Sequence, residues 1–173
     1  NPASGKTITV SAILAGSAAV TKSDLGTAIL SGNNTYTGLT TVSAGVLRVS
    51  HSNALGTTDN GTTVSNGAAL ELTYTPAPYV TGIAIGDEAL TLDGTGVSNG
   101  GALRNISGNN TYGGLITLST NDVRINSDLG TLTLNKSTEA ITSPTDINLT
   151  IGGSGDTTVS TIISTGSGTL TKD

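Results

Sequence analysis

Short stretches in which aliphatic and polar residues alternate recur along this chain, each closed by a cluster of Gly, Asn or Ser. Alternation with a period of two turns one face of an extended strand inward and the other to water. Residues 8–13, 46–49, 69–72, 89–92, 115–118, 123–125, 132–134 and 147–151 carry that pattern and are predicted as strands. In several of them a polar residue stands between two aliphatic ones, as Arg48, Glu71, Thr91 and Thr133 do. The expected register buries Val49, Leu70, Leu72, Leu90 and Leu92 and leaves Arg48, Glu71 and Thr91 facing water. The apolar run at 12–16 is too short, and lacks the basic flank, to be a signal peptide; it reads as a further strand. No stretch reads as a helix of more than one or two turns. Equivalent strands recur every 20–25 residues where the spacing is regular, which is the length of one coil of a parallel β-helix. Asn60-Gly61, Asn66-Gly67 and Asn99-Gly100 are expected at its corners, where a positive φ is needed.

Two longer repeats overlie these coils. Ser31-Gly32-Asn33-Asn34-Thr35-Tyr36 returns letter for letter as Ser107-Gly108-Asn109-Asn110-Thr111-Tyr112, 76 positions later (31 to 107). The segment from Thr9 to Lys22 lines up with the one from Thr158 to Lys172, with one inserted residue, so that Lys22 falls 150 positions before Lys172. The chain reads as a single solenoid domain over 1–173: one unit of about 150 residues in two halves, near 22–97 and 98–172, plus the start of the next unit. It opens Asn1-Pro2 rather than with Met, which reads as a processed or excised piece.

Composition narrows the picture. The 173 residues include no Cys, Met, Trp or Phe and only 4 Tyr, and 11% are charged. Ser, Thr, Asn and Gly make up about half of the chain. With 35% hydrophobic residues there is enough Val, Ile, Leu and Ala to bury, so disorder is a poor explanation. Gly does not recur every third position and there are only 4 Pro, which excludes collagen. A net charge of -5, with Lys6, Lys22, Arg48, Arg104, Arg124, Lys136 and Lys172 scattered singly, argues against nucleic acid and anionic membrane surfaces as partners. No apolar run approaches the roughly 20 residues that span a bilayer, so no membrane insertion is expected in this segment. A chain without Cys is what export in an unfolded state favours.

The block Leu30-Ser31-Gly32-Asn33-Asn34-Thr35-Tyr36-Thr37-Gly38, followed by Thr40-Thr41-Val42-Ser43-Ala44-Gly45-Val46-Leu47-Arg48-Val49 and Ala54-Leu55-Gly56, resembles the autotransporter-associated β-strand repeat. Residues 100–112 and 168–173 look like further blocks of the same arrays. The sequence departs from that pattern at Leu39 and around 74–80. The resemblance implies a right-handed parallel β-helix (an all-β solenoid), export, and an extracellular place at the bacterial cell surface. The family shares no catalytic residues, so the resemblance brings no active site.

Chemistry is sparse. His51, the only His, sits in Ser50-His51-Ser52-Asn53 after a strand and reads as a turn residue in water. One His and no Cys cannot supply a zinc site, and no cofactor is expected. Enzymes on this fold that cut polysaccharides need clustered carboxylates with Arg or Lys on one face. The only adjacent acidic pair, Asp87-Glu88, lies in a turn, so no catalytic residue is assigned. Gly152-Gly153-Ser154-Gly155-Asp156-Thr157 approaches a calcium-binding nonapeptide, but that motif's Asp comes one position later, where Thr157 stands, and the segment reads as a Gly-rich corner. Asn33-Asn34-Thr35 and Asn109-Asn110-Thr111 match glycosylation sequons but read better as turns or an Asn ladder between coils. Tyr74-Thr75-Pro76-Ala77-Pro78-Tyr79 breaks the repeat; Pro cannot donate to a ladder, so this piece should bulge out. Tyr74 and Tyr79 are the one candidate ligand-binding pair, an aromatic platform for surface glycans. The sequence thus predicts a structural segment of a surface protein or fibre, stacking end to end with itself or with flanking repeats, and alternatively an adhesin working through the 74–79 loop.

Overall fold

The computed structural model describes residues 5–74 and 81–173, and there the backbone winds as a three-sided parallel β-solenoid. Nineteen strands among the described residues, numbered in chain order, fall into three sheets. An eight-stranded sheet stacks β1 (Thr7–Val10), β3 (Thr27–Leu30), β5 (Val46–Val49), β7 (Ala69–Thr73), β10 (Leu103–Ser107), β13 (Val123–Ser127), β16 (Leu149–Gly152) and β19 (Leu170–Lys172). A seven-stranded sheet stacks β2 (Val20–Lys22), β4 (Thr40–Val42), β6 (Thr62–Val64), β9 (Leu90–Leu92), β12 (Ile116–Leu118), β15 (Glu139–Thr142) and β18 (Ile162–Ile163). The four-stranded sheet holds β8 (Ala84–Ile85), β11 (Asn110–Tyr112), β14 (Thr131–Leu134) and β17 (Asp156–Val159).

The chain visits the eight-, four- and seven-stranded sheets in that order and returns one rung higher, so the eight rungs make seven turns. Parallel neighbours need a crossover, and in other folds a helix supplies it. Here the other two sides of each coil do so, and the one helical feature among the described residues is a single 3-10 turn, Val97–Asn99.

In-register parallel pairing stacks like on like. Ala28, Leu47, Leu70, Leu103 and Ile125 form one file along the rod. Val42, Val64, Leu92 and Leu118 form another on the seven-stranded side. The core between the sheets is aliphatic, joined by the rings of Tyr36 and Tyr112. Val49, Leu70, Leu72, Leu90 and Leu92 are buried as the alternation requires, and Arg48 and Thr91 are partly exposed.

Four expectations need correction. Glu71 is not in water: it keeps its outward position in β7 but is only 3% exposed. The register sets it between Arg48 on one rung and Arg104 on the next, and the two guanidinium groups cover it. The run at 12–16 is not a strand, although Thr35 N–H still donates to Leu14 O (2.8 Å) and Thr37 N–H to Gly16 O (2.9 Å). Coil length is less regular than 20–25: partners lie 19 apart from Ala28 to Leu47, 26 from Ile125 to Ile151, and 33 from Leu70 to Leu103. That longest coil carries the 3-10 turn and residues 75–80, which lie outside the described residues. Finally, Gly61 and Gly67 take positive φ (71° and 78°), but at the third Asn-Gly pair Ser98 and Asn99 do so instead (51° and 62°). Gly100 stays at -87°, because the 3-10 turn closes on its N–H, which donates to Val97 O.

Candidate functional site: the motif corners and the end coils

The repeated hexapeptide forms the corner that enters the four-stranded side. Its second Asn is buried in both copies. Asn34 Oδ1 accepts Leu14 N–H (2.9 Å) and its Nδ2 donates to Ala54 O (2.7 Å), one coil away in each direction. Asn110 Oδ1 accepts Ile83 N–H (2.8 Å), and its Nδ2 donates to Ser107 O (2.8 Å) and Asn105 Oδ1 (2.5 Å). A turn that leaves the sheet strands backbone groups, and a buried amide with donors and acceptor satisfies them. The first Asn stays exposed: Asn33 Oδ1 accepts from Asn53 Nδ2 (2.8 Å), and Asn109 Oδ1 accepts Thr131 N–H (3.0 Å). Of the expected Asn ladder one inter-coil amide pair, Asn53 to Asn33, is present; the other motif amides staple neighbouring coils through backbone groups. The Tyr closes each corner inward. Tyr36 shares a hydrogen bond with Thr40 Oγ1 (2.7 Å), whereas the Tyr112 hydroxyl is buried with no partner. Burial raises both phenols above their usual range.

Sequence reasoning missed three polar features. Asn105 Nδ2 donates to Ser127 Oγ (3.0 Å), Leu129 O (3.2 Å) and Gly108 O (3.2 Å), so a file that is Val49 and Leu72 on earlier rungs turns polar. On the outer face Arg48 binds Glu71 Oε2 (2.6 Å from Nη2), and Arg104 reaches both Glu71 (3.5 Å) and Asp128 (2.6 Å). Lys22, buried on the seven-stranded side, donates to Asp24 Oδ1 and Ala44 O (3.0 Å each). That hydrogen bond holds the Asp24 carboxyl below its usual range. A lone Arg or Lys between aliphatic residues gives no signal of which rung it will meet; only the coil register does.

The acidic pair does not converge. Asp87 is exposed and paired with Lys136, while Glu88 is buried and its Oε1 accepts the Thr62 hydroxyl (2.9 Å). Burial pushes the Glu88 carboxyl up to about 7, and its charge in turn raises Tyr36 and Tyr112. His51 is half-buried in its turn and accepts Asn53 N–H on Nδ1 (3.1 Å). Residues 153–155 form the corner between β16, which ends at Gly152, and β17, which begins at Asp156, and Gly153 there takes φ 107°. No group of three or more His, Cys, Asp or Glu side chains that could hold a metal occurs among the described residues. Of the aromatic pair, Tyr74 is half-buried against the core; its N–H donates to Ser107 O (3.0 Å) and its carbonyl accepts from Ser107 Oγ (3.3 Å). Tyr79 lies outside the described residues. An open polar groove of about 470 Å³, lined by Asn66, Gly94, Thr95, Thr120, Asn121 and Asp122, runs along a different corner.

Among the described residues the outermost strands lie at the rod's two ends. β1 and β19 close the eight-stranded sheet, β2 and β18 the seven-stranded one, and β17 the upper side of the third. Ile8, Ile13, Ile162 and Leu170 are each more than half exposed there.

This geometry defines a class: a parallel β-solenoid held by coil-to-coil ladders. Residues 20–49, which cover β2 to β5 and the first motif corner, match the family model described as Passenger-associated-transport-repeat. Match and solenoid together fit an autotransporter passenger repeat, and that repeat family implies a secreted or surface protein. No curated protein and no solved structure matches the chain.

Proposed function

We propose that this chain is a non-catalytic structural segment of an extracellular bacterial surface protein, one that extends a rod by end-to-end stacking of solenoid coils. One observation carries the reading. The eight- and seven-stranded sheets run the length of the rod, and among the described residues their outermost strands and β17 of the third sheet present free strand edges at its ends, with apolar side chains exposed beside them. Such edges are templates for a further strand, and natural proteins normally cover or charge them. A solenoid contacts only its neighbours, so adding coils lengthens it without altering what is already folded. Sedimentation velocity over a concentration series tests the reading. Growth into ever larger species is expected; a monomer at every concentration overturns it.

A second reading rests on Tyr74, whose ring stands half-buried where the chain leaves β7. In it the 74–79 loop holds surface glycans. Binding on a glycan array that is lost in Tyr74→Ala and Tyr79→Ala supports it, and an array without signal removes it.

A further inference from the structure

The two long repeats relate to the coils differently. Both copies of the hexapeptide sit at the same corner: the first follows β3, the second runs from the end of β10 into β11, and three turns separate them. The end segments do not share a face. Thr9 and Val10 lie in β1 of the eight-stranded sheet, but their matches Thr158 and Val159 lie in β17 of the four-stranded one. Ile13 and Leu14 run on the four-stranded side, bonded to the first motif corner, yet Ile162 and Ile163 form β18 of the seven-stranded sheet. Val20 to Lys22 form β2 of the seven-stranded sheet, and Leu170 to Lys172 form β19 of the eight-stranded one. Each segment is displaced by one face in the same sense, the sense in which the chain winds.

We infer that a second copy of this chain docks on the C-terminal end turned by one face, so that β1 lies on β17, residues 13–16 on β18, and β2 on β19. The inference rests on the stacking reading and adds its geometry. After β19 the winding calls next for a strand on β17, and β1 of the added copy takes that place without a gap. Docking with the sheets aligned instead would set β1 on β19 and leave the upper edges of β17 and β18 unfilled.

Side-chain phase agrees at every position. Thr157 and Val159 continue the inward file of Leu132 and Leu134, and they meet Ile8 and Val10, which begin the inward file of Leu47 and Val49. Ile163, above buried Ile141, meets Leu14, and both already pack against the core. Leu170, above Leu149, meets Val20, and exposed Ile162 meets exposed Ile13. Charges meet at two places. Lys6 comes beside Asp156, the register partner of the adjacent Thr7, and Lys22 falls on Lys172, two like charges one rung apart with Asp24, already bonded to Lys22, beside them on the rim of a hollow of about 240 Å³ at the N-terminal end. Each added copy is therefore rotated by a third of a turn, and the contact is heterologous and does not close.

The chain has no Cys, so paired substitutions report the docking directly. Thr9, Thr158 and Thr171 are all exposed, and Thr9 and Thr158 stand at opposite ends of one rod. In the rotated stack Thr9 faces Thr158 of the neighbouring copy at strand spacing, within reach of a disulfide. Oxidised Thr9→Cys/Thr158→Cys should run as a ladder of covalent dimers, trimers and larger species, while Thr9→Cys/Thr171→Cys stays monomeric under denaturing conditions. A ladder from the Thr171 pair alone, or polymers by sedimentation that neither pair links, overturns the one-face rotation and leaves the stacking reading standing. Monomers by sedimentation overturn both.

Discussion

Asn34 Oδ1 accepts the backbone N–H of Leu14 at 2.9 Å, a contact between coils 20 residues apart. Asn110 repeats it with Ile83 at 2.8 Å. An exact sequence repeat has thus become a repeated staple, and it gives the first prediction. Asn34→Ala and Asn110→Ala each leave buried backbone groups without partners and should cost about 1–3 kcal/mol. Asn33→Ala at the exposed neighbouring position should stay within about 0.5 kcal/mol. Urea unfolding checks both; equal effects at Asn33 and Asn34 would contradict the buried staple.

The outer-face charges give the second. Glu71 is covered by Arg48 and Arg104, so Glu71→Ala leaves two guanidinium groups facing each other across the emptied rung. Because each Arg keeps a third of its side chain in water, the loss should be moderate, about 1–2 kcal/mol, and smaller at high salt. Thermal unfolding at two ionic strengths reads it, and no change at either would show that Glu71 is simply solvated.

Core packing gives the third. Leu72→Ala should cost about 2–4 kcal/mol, since a narrow interior whose walls are fixed by ladders cannot collapse round the hole. Thr91→Ala, on the partly exposed side of β9, should change stability by less than about 0.5 kcal/mol. A Leu72→Ala protein with unchanged midpoint would place Leu72 outside the core.

A pH dependence follows from Glu88. Its carboxyl is pushed up to about 7 by burial, so between the ordinary carboxylate range and pH 7 the folded chain holds a proton that the unfolded chain has lost. Its contribution is fully present below the unfolded value and is lost as pH rises through 7. Glu88→Gln keeps an acceptor for Thr62, should flatten that slope, and should stabilise the protein by about 2 kcal/mol at pH 8. Unfolding free energies at pH 5 and 8 measure it; a Glu88→Gln protein with the wild-type slope would contradict the buried position.

How much of this could be read in the residues follows from strand length and hydropathy. Val46–Val49 was legible to the residue, because aliphatic residues flank one charge. The Val20–Lys22, Thr40–Val42 and Asn110–Tyr112 strands were not, because three Thr- or Asn-rich residues carry no period-two signal. Their extended shape comes from the rungs above and below, which a local pattern does not contain. The same holds for Glu71. Its outward direction follows from alternation, but its burial depends on a coil length that brings Arg48 and Arg104 to it. At the motif corners, the repeat marked Asn34 and Asn110 as special without saying which of two adjacent Asn turns inward. The 150-residue match was plain, while its shift from one face to the next needed the winding order.

The central claim is that this solenoid serves by adding coils to coils. Electron microscopy with diffraction on the concentrated chain tests it most directly. The account predicts unbranched filaments of uniform width with a reflection near 4.8 Å along the filament axis, the spacing of stacked strands. Single particles of one size at the highest concentration reached, or filaments whose strand spacing lies across the axis, would contradict it.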